Sequence, residues 1–242
     1  LRRLIGRRSA RLEEGSFVIE GPTLIAEAIA SGFDLEEIFT SEKGVSFPGS
    51  DAPVHLLARG VLERVSDTES PQPALAIAKR SFRSWTPSAT GWVVWCESVS
   101  DPGNLGTILR SAEAFGASAV LLSPGSVDPT NPKVVRASAG AVFHLAIVED
   151  ASLDDVRSKE YRIIGTSSHD GARTIEIGEA DLSGKVCLAM GNEARGLEES
   201  FDADAWVTIA HRGRSESLNV AMAATIMCFA TANQHSRDTP NE

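Results

Sequence analysis

Three polar stretches of this chain hold residues able to do chemistry, and each borders an apolar run. The first is Asp101-Pro-Gly-Asn-Leu-Gly-Thr-Ile-Leu-Arg110. Leu105, Ile108, Leu109, Ala112 and Phe115 follow helical spacing, and Gly116 ends the run. Asn104 falls near the helix start, where free backbone N–H groups attract anions, and Arg110 lies about two turns further on, off the apolar stripe. A guanidinium placed there can grip a phosphate or a ribose, or can be a solvated helix cation. The second stretch, Met190-Gly-Asn-Glu-Ala-Arg-Gly-Leu197, follows an apolar strand. Gly191 lets a ligand approach the backbone, Gly196 permits a turn into a following helix, and Glu193 puts a carboxylate at the edge of a core strand. A plain surface turn reads the same way. The third is Gly213-Arg-Ser-Glu-Ser-Leu-Asn-Val-Ala-Met-Ala-Ala224. Ser217 stands at the N-cap position of a buried helix, and Asn219 falls in its first turn.

The elements that must position these loops alternate along the chain. From position 92 onward, apolar strands are expected at Trp92 to Cys96, Ala119 to Leu122, His144 to Val148, Arg162 to Thr166, Val186 to Met190 and Ala205 to Ile209. Near-continuous apolar strands with helices between them predict a parallel sheet covered on both faces, with ligands beyond the carboxyl ends of the strands. All three polar stretches fall at such ends. Residues 1–80 read as a smaller α/β unit. Its strand at Gly15 to Gly21 is followed by a helix that Pro22 opens and Gly32 closes, and further strands are expected near Leu35 to Thr40, Val54 to Leu57 and Leu75 to Ala78. A short helix is expected near Ala58 to Val65. The polar, turn-rich segment 81–91 reads as the linker, which leaves 92–242 as the second domain.

Composition limits the classes. With 42% hydrophobic and 23% charged residues in 242, the chain can build a core. No apolar stretch reaches the ~18 residues of a membrane span. Cys96, Cys187 and Cys228 lie in apolar elements and are expected as buried thiols of a reducing, cytoplasmic protein. The histidines form no ligand pair, so no metal is expected. The net charge of −10 argues against generic nucleic-acid binding. Arg2, Arg3, Arg7, Arg8 and Arg11 nonetheless concentrate five cations in the first eleven positions. That arm could contact phosphate, or it could be a solvated terminal helix.

The three stretches, in this order, resemble the three motifs of the SpoU/TrmH family of RNA 2′-O-ribose methyltransferases. Arg136-Ala-Ser-Ala-Gly-Ala141 resembles a further segment of that family, and Phe17-Val-Ile-Glu-Gly-Pro22 resembles the start of its L30e-like substrate-binding domain. The resemblance implies a C-terminal SPOUT domain with a deep trefoil knot, S-adenosylmethionine bound in the knot, and a homodimer with sites at the interface. It places Thr166, Gly191, Ile209 and Leu218 around the cofactor. Asn104, Arg110, Glu193, Ser217 and Asn219 match its active-site positions, and the family gives Arg110 the task of activating the ribose hydroxyl. A guanidinium is a reluctant base, so Arg110 is expected mainly to fix the adjacent phosphate and stabilise developing alkoxide charge.

Two departures stand out. Ile209-Ala210-His211 replaces the family's frequent Ile-Pro-Met, and the charge at Arg212, Arg214 and Glu216 marks a place to seek substrate specificity. His211 invites a general-base role that the family does not use. Structured RNA is the expected substrate, ribosomal RNA first and transfer RNA second. A non-catalytic RNA-binding knot protein is the rival from another class. A nicotinamide enzyme is disfavoured because Gly103 and Gly106 make no Gly-x-Gly-x-x-Gly fingerprint.

Overall fold

The computed structural model describes residues 1–58, 60–65, 70–88, 90–167, 174–210, 213–214 and 217–238. The N-terminal part runs α1 (Arg2–Gly6), α2 (Arg8–Glu14), β1 (Ser16–Glu20), α3 (Pro22–Ala30), β2 (Leu35–Thr40), β3 (Val54–Leu56), α4 (Leu62–Val65) and β4 (Ala74–Lys79). Its sheet has the order β1-β4-β2-β3, with β4 antiparallel to both neighbours and β3 parallel to β2. Pro22 sits in the first turn of α3, where its missing N–H leaves no bond unmade.

The C-terminal part runs β5 (Val93–Cys96), α5 (Pro102–Ala114), β6 (Ala119–Leu122), α6 (Pro132–Ala137), a 3₁₀ turn (Ala141–Phe143) and β7 (Ala146–Val148). It continues through α7 (Leu153–Ser158), β8 (Arg162–Ser167), β9 (Thr174–Glu176), β10 (Val186–Met190), β11 (Ala205–Thr208) and α8 (Val220–Asp238). The seven strands pair in the order β7-β6-β5-β10-β8-β11-β9, every pair parallel. Residues of β5, β6 and β10 are buried throughout, as their unbroken apolar runs require. Side chains alternate between two apolar clusters. Val94, Leu188 and Ile164 face α5 and α8, whereas Val93, Cys187 and Ile163 face Val156, Tyr161 and Trp85 on the other side.

The two sheets share one core. Phe17 and Phe33 pack edge-on, as do Phe33 and Phe143. Arg11 pairs with Asp128 at 2.7 Å, both buried, and also donates to the Leu4 and Ile5 carbonyls. Arg136 pairs with Glu20 at 3.0 Å, and His144 bridges Glu27 and Glu113. In segment 81–91, Arg83 bridges Ala146 at the β7 edge and Trp85 packs on Tyr161.

Several local expectations need correction. The arginine-rich start folds as α1 and α2, and Arg11 is sequestered in its ion pair, where it cannot reach RNA. The helix expected near Ala58 shortens to the single turn of α4. No helix follows Gly196; the chain reaches β11 through turns. Nor is α8 buried all round, since Met222, Ile226 and Phe229 are exposed on one face. Its cap is Asn219, one residue before the helix, whose Oδ1 accepts from the N–H groups of Ala221 and Met222. Ser217 lies too far upstream to reach them.

Candidate active site

The carboxyl ends of the central strands position the polar loops. After β5 the chain turns through Ser98, which adopts a left-handed φ of 49°, and enters α5 with Asp101 as its cap. Asp101 Oδ1 accepts from Asn104 N–H at 2.8 Å. After β10 the chain makes a tight hairpin closed by paired backbone bonds between Asn192 and Gly196. Gly196 has a φ of 66° there, the left-handed region that favours glycine. Gly191 has no room for a side chain: a Cβ would stand 2.2 Å from the Gly196 carbonyl carbon and 2.4 Å from Leu197 N. Asn192 holds the hairpin from within. Its Oδ1 accepts from the N–H groups of Ala194 and Arg195, and its Nδ2 donates to Ser98 O at 2.8 Å.

Glu193 binds this hairpin to the start of α5. Its carboxylate accepts from Asp101 N–H at 2.9 Å, Ser100 N–H and Oγ–H at 3.2 and 3.0 Å, and Asn104 Nδ2 at 3.2 Å. Burial pushes this carboxyl up, but the hydrogen bonds outweigh it and hold Glu193 below the usual carboxylate range. Asn104 Oδ1 in turn accepts from Asn219 Nδ2 at 3.0 Å. With Asn219 Oδ1 engaged by α8, both amides have one orientation that satisfies every partner. Glu193, Asn104 and Asn219 thus form a chain of hydrogen bonds across all three loops.

Beside this chain lies a cavity of about 360 Å³, within the roughly 300–1,000 Å³ usual for small-molecule sites. Thr166, Gly191, Ile209 and Leu218 all line it, as do Glu193 and Ser217. Thr166 Oγ1–H donates to Ala189 O at 2.9 Å, which ties the end of β8 to β10. Leu197, Val207 and Val220 add apolar wall. Sequence reasoning did not single out Asn192, Leu197, Val207 or Val220. An asparagine inside a glycine-bounded loop was the available signal for Asn192, because its side chain can mimic a turn. The aliphatic residues carried no signal beyond core packing.

Arg110 is elsewhere. It is exposed on α5, outside the cavity lining, and its side chain has no ion pair or hydrogen bond among the described residues. Its neighbours lock α5 alongside α8. Ser111 and Thr225 share a hydroxyl hydrogen bond of 2.7 Å, and Phe115 meets Phe229 edge-on at 5.7 Å. His211, Arg212, Ser215 and Glu216 lie outside the described residues; Arg214 is exposed.

A glycine-walled cavity of this size at the carboxyl edge of a parallel α/β sheet is the mark of an enzyme that binds a small cofactor. Residues 91–229 match the SpoU rRNA Methylase family, and residues 1–76 match the MRM3-like substrate binding domain. The chain is 30% identical to the 23S rRNA (guanosine(2553)-2′-O)-methyltransferase RlmP of Bacillus subtilis, over 92% of this chain and 90% of the relative. It superposes with a TM-score of 0.82 on an AdoMet-bound rRNA methyltransferase from Sinorhizobium meliloti, at 30% identity, covering 97% of this chain and 92% of that one. The SpoU methyltransferase AviRb of Streptomyces viridochromogenes, solved with AdoMet, shares the fold at a TM-score of 0.87, 24% identity and coverage of 99% and 97%. The chain belongs to the SpoU rRNA methylase family.

Proposed function

We propose that this protein transfers the methyl group of S-adenosylmethionine to a ribose 2′-hydroxyl of ribosomal RNA. The observation that carries this reading is the convergence of Thr166, Gly191, Ile209 and Leu218 on one cavity beside the Glu193–Asn104–Asn219 chain. The cavity fits the cofactor by its construction. Gly191 leaves backbone exposed where a Cβ could not stand, strand ends offer backbone donors and acceptors, and Ile209, Leu218 and Leu197 supply apolar walls for a purine. Bound there, S-adenosylmethionine supplies an activated methyl on a sulfonium with a neutral thioether as leaving group.

The protein's remaining tasks are alignment and charge stabilisation. Glu193, held ionised, fixes the hairpin against α5 and is too weak a base to take the hydroxyl proton. Asn104 and Asn219 set the loop geometry around the ribose, and Ser217 stands at the cavity edge. Arg110 fixes the neighbouring phosphate and stabilises alkoxide charge on the attacking oxygen, whose proton leaves late in the transfer, to solvent or to a transiently neutral guanidinium. It does so across a homodimer. Met222, Ile226 and Phe229, 62%, 38% and 54% exposed, form an apolar stripe on α8 beside α5, and a second copy covering that stripe brings Arg110 towards a partner's cavity. The trefoil knot and a cytoplasmic location belong to the same reading. The knot is supported by the SPOUT-type fold, and the location by three thiols buried within the core.

The test is transfer of labelled methyl from S-adenosylmethionine to ribosomal RNA transcribed in vitro, with the product mapped as a 2′-O-methyl nucleotide. Label on a base, or label on transfer RNA alone, would overturn the substrate assignment. Cofactor binding without transfer to any RNA would favour the non-catalytic rival.

A further inference from the structure

Of the six arginines of the C-terminal part whose side chains are described, Arg136, Arg157 and Arg162 are neutralised, whereas Arg110, Arg195 and Arg214 have no ion pair among the described residues. Arg157 pairs with Asp202 and Asp204, and Arg162 with Asp181. Arg195 differs from the other two unpaired arginines in its place. It lines the cavity, it is exposed, and its side chain has no ion pair or hydrogen bond among the described residues. Acidic neighbours are close along the chain, yet none takes it. Glu193, two residues earlier, spends its oxygens on Ser100, Asp101 and Asn104. Glu198 and Glu199 follow within four residues and remain exposed and apart from it.

The backbone beneath Arg195 is fixed in spite of the free side chain. Its N–H donates to Asn192 Oδ1, the Asn192–Gly196 pair closes the hairpin, and Gly191 is packed against the backbone of Gly196 and Leu197. The root of the side chain is therefore fixed at the cavity rim, while the guanidinium itself is free to swing with its five N–H donors unspent. In a protein of net charge −10, an unpaired cation on the cavity rim offers an anion a place to dock. The chemistry of the substrate supplies one. A ribose 2′-hydroxyl presented to the cavity carries, on the adjoining carbon, the oxygen of its own 3′-phosphate. A phosphodiester thus lies within a few bonds of the reacting atom.

We propose that Arg195 is a substrate-positioning residue that grips a backbone phosphate of the RNA strand at the cavity rim. This rests on the methyltransferase reading above and adds the point at which the strand is held. The planar fork of arginine matches two phosphate oxygens at once, which sets the angle of the ribose as well as its distance. Because the grip is present before and during transfer, its loss raises KM for RNA and leaves kcat nearly unchanged. The same guanidinium could instead hold the carboxylate of the cofactor's amino-acid portion, so the experiment separates the two anions.

Arg195→Ala and Arg195→Lys are compared with the wild-type protein. Replacing the side chain leaves the N–H bond to Asn192 intact, so the hairpin persists in both variants. With 23S rRNA transcribed in vitro, Arg195→Ala is expected to raise KM roughly 10- to 100-fold. The slope of log affinity against log salt, measured by filter binding, falls by about one. Arg195→Lys recovers part of the loss, and calorimetric affinity for S-adenosylmethionine stays at the wild-type value. Unchanged KM and salt slope, or a loss of cofactor affinity as large as the loss for RNA, would overturn the proposal. Filter binding tests it even on an RNA that is bound and not methylated. If the wild-type protein neither binds nor methylates the RNA, the methyltransferase reading falls and this proposal with it. A fully active wild type with an unaffected Arg195→Ala removes this proposal alone.

Discussion

At Glu193 two opposing influences meet, burial that favours the neutral acid and hydrogen bonds that favour the carboxylate, and the bonds prevail. A carboxyl depressed in the folded state lends stability that is present above its unfolded value and lost as pH falls through the lower folded one. Cofactor affinity measured by calorimetry should therefore stay level from neutral pH down to about pH 4, the usual carboxylate range. Glu193→Gln should bind more weakly at neutral pH and show no acid limb, because bonds to an ionised acceptor are roughly twice as strong as neutral ones. Loss of wild-type binding well above that range would refute this role. Gly191→Ala should abolish cofactor binding, since its Cβ has no space against Gly196; retained affinity would mean that the hairpin can shift. Arg110→Ala should lower methylation roughly 10²- to 10³-fold with cofactor affinity intact, and a substantially active variant would remove Arg110 from the mechanism. The residue types at these positions were legible in the motifs. Their hydrogen-bond partners were not: nothing in the spacing of Asn104, Glu193 and Asn219 says that each touches the next.

The elements were read well where a single physical pattern governed them. Unbroken apolar runs became the buried parallel strands β5, β6 and β10, and Pro22 opened α3 as its missing N–H allows. Reading failed where tertiary contacts outweighed local pattern. The first eleven residues read as a basic arm or a solvated terminal helix. They are helical, and Arg2, Arg3, Arg7 and Arg8 are exposed, but the local charges hid how firmly the segment is anchored. In the fold, Leu4 and Ala10 are core, and Arg11 finds Asp128 at a separation of 117 residues. Arg11→Ala removes the nearer cation of buried Asp128, leaving Arg80 at 3.8 Å, and should cost up to about 3–5 kcal/mol of stability. Thermal unfolding would measure it, and an unchanged midpoint would show that the pair contributes nothing. By the same token, deleting residues 1–11 should destabilise the fold, so weaker RNA binding by that truncation would not identify a phosphate-binding arm. The α8 cap moved from Ser217 to Asn219 for a simple reason of reach, because only Asn219 stands next to the first free N–H groups.

Across the whole molecule, the unresolved balance of the isolated chain is the stripe of Met222, Ile226 and Phe229, an apolar face beside an arginine that its own cavity does not use. Phe229→Glu should convert a dimer into monomers in sedimentation velocity and abolish methylation, while leaving each cavity able to bind cofactor. A wild-type monomer with full activity would refute the homodimer. Sequence by itself determined the main apolar strands, the two-part α/β architecture and the residue types at the site, but not β9 or the absence of a helix after Gly196. The features it did determine depend on local periodicity, turn chemistry and motif, all of which are written within a few neighbouring residues. Tertiary structure alone decided which loops share a cavity, that Glu193 stays ionised, that Arg11 is structural and that Arg195 is left unpaired. Each of those outcomes depends on distances between groups remote in the chain, and neither residue type nor spacing records such a distance.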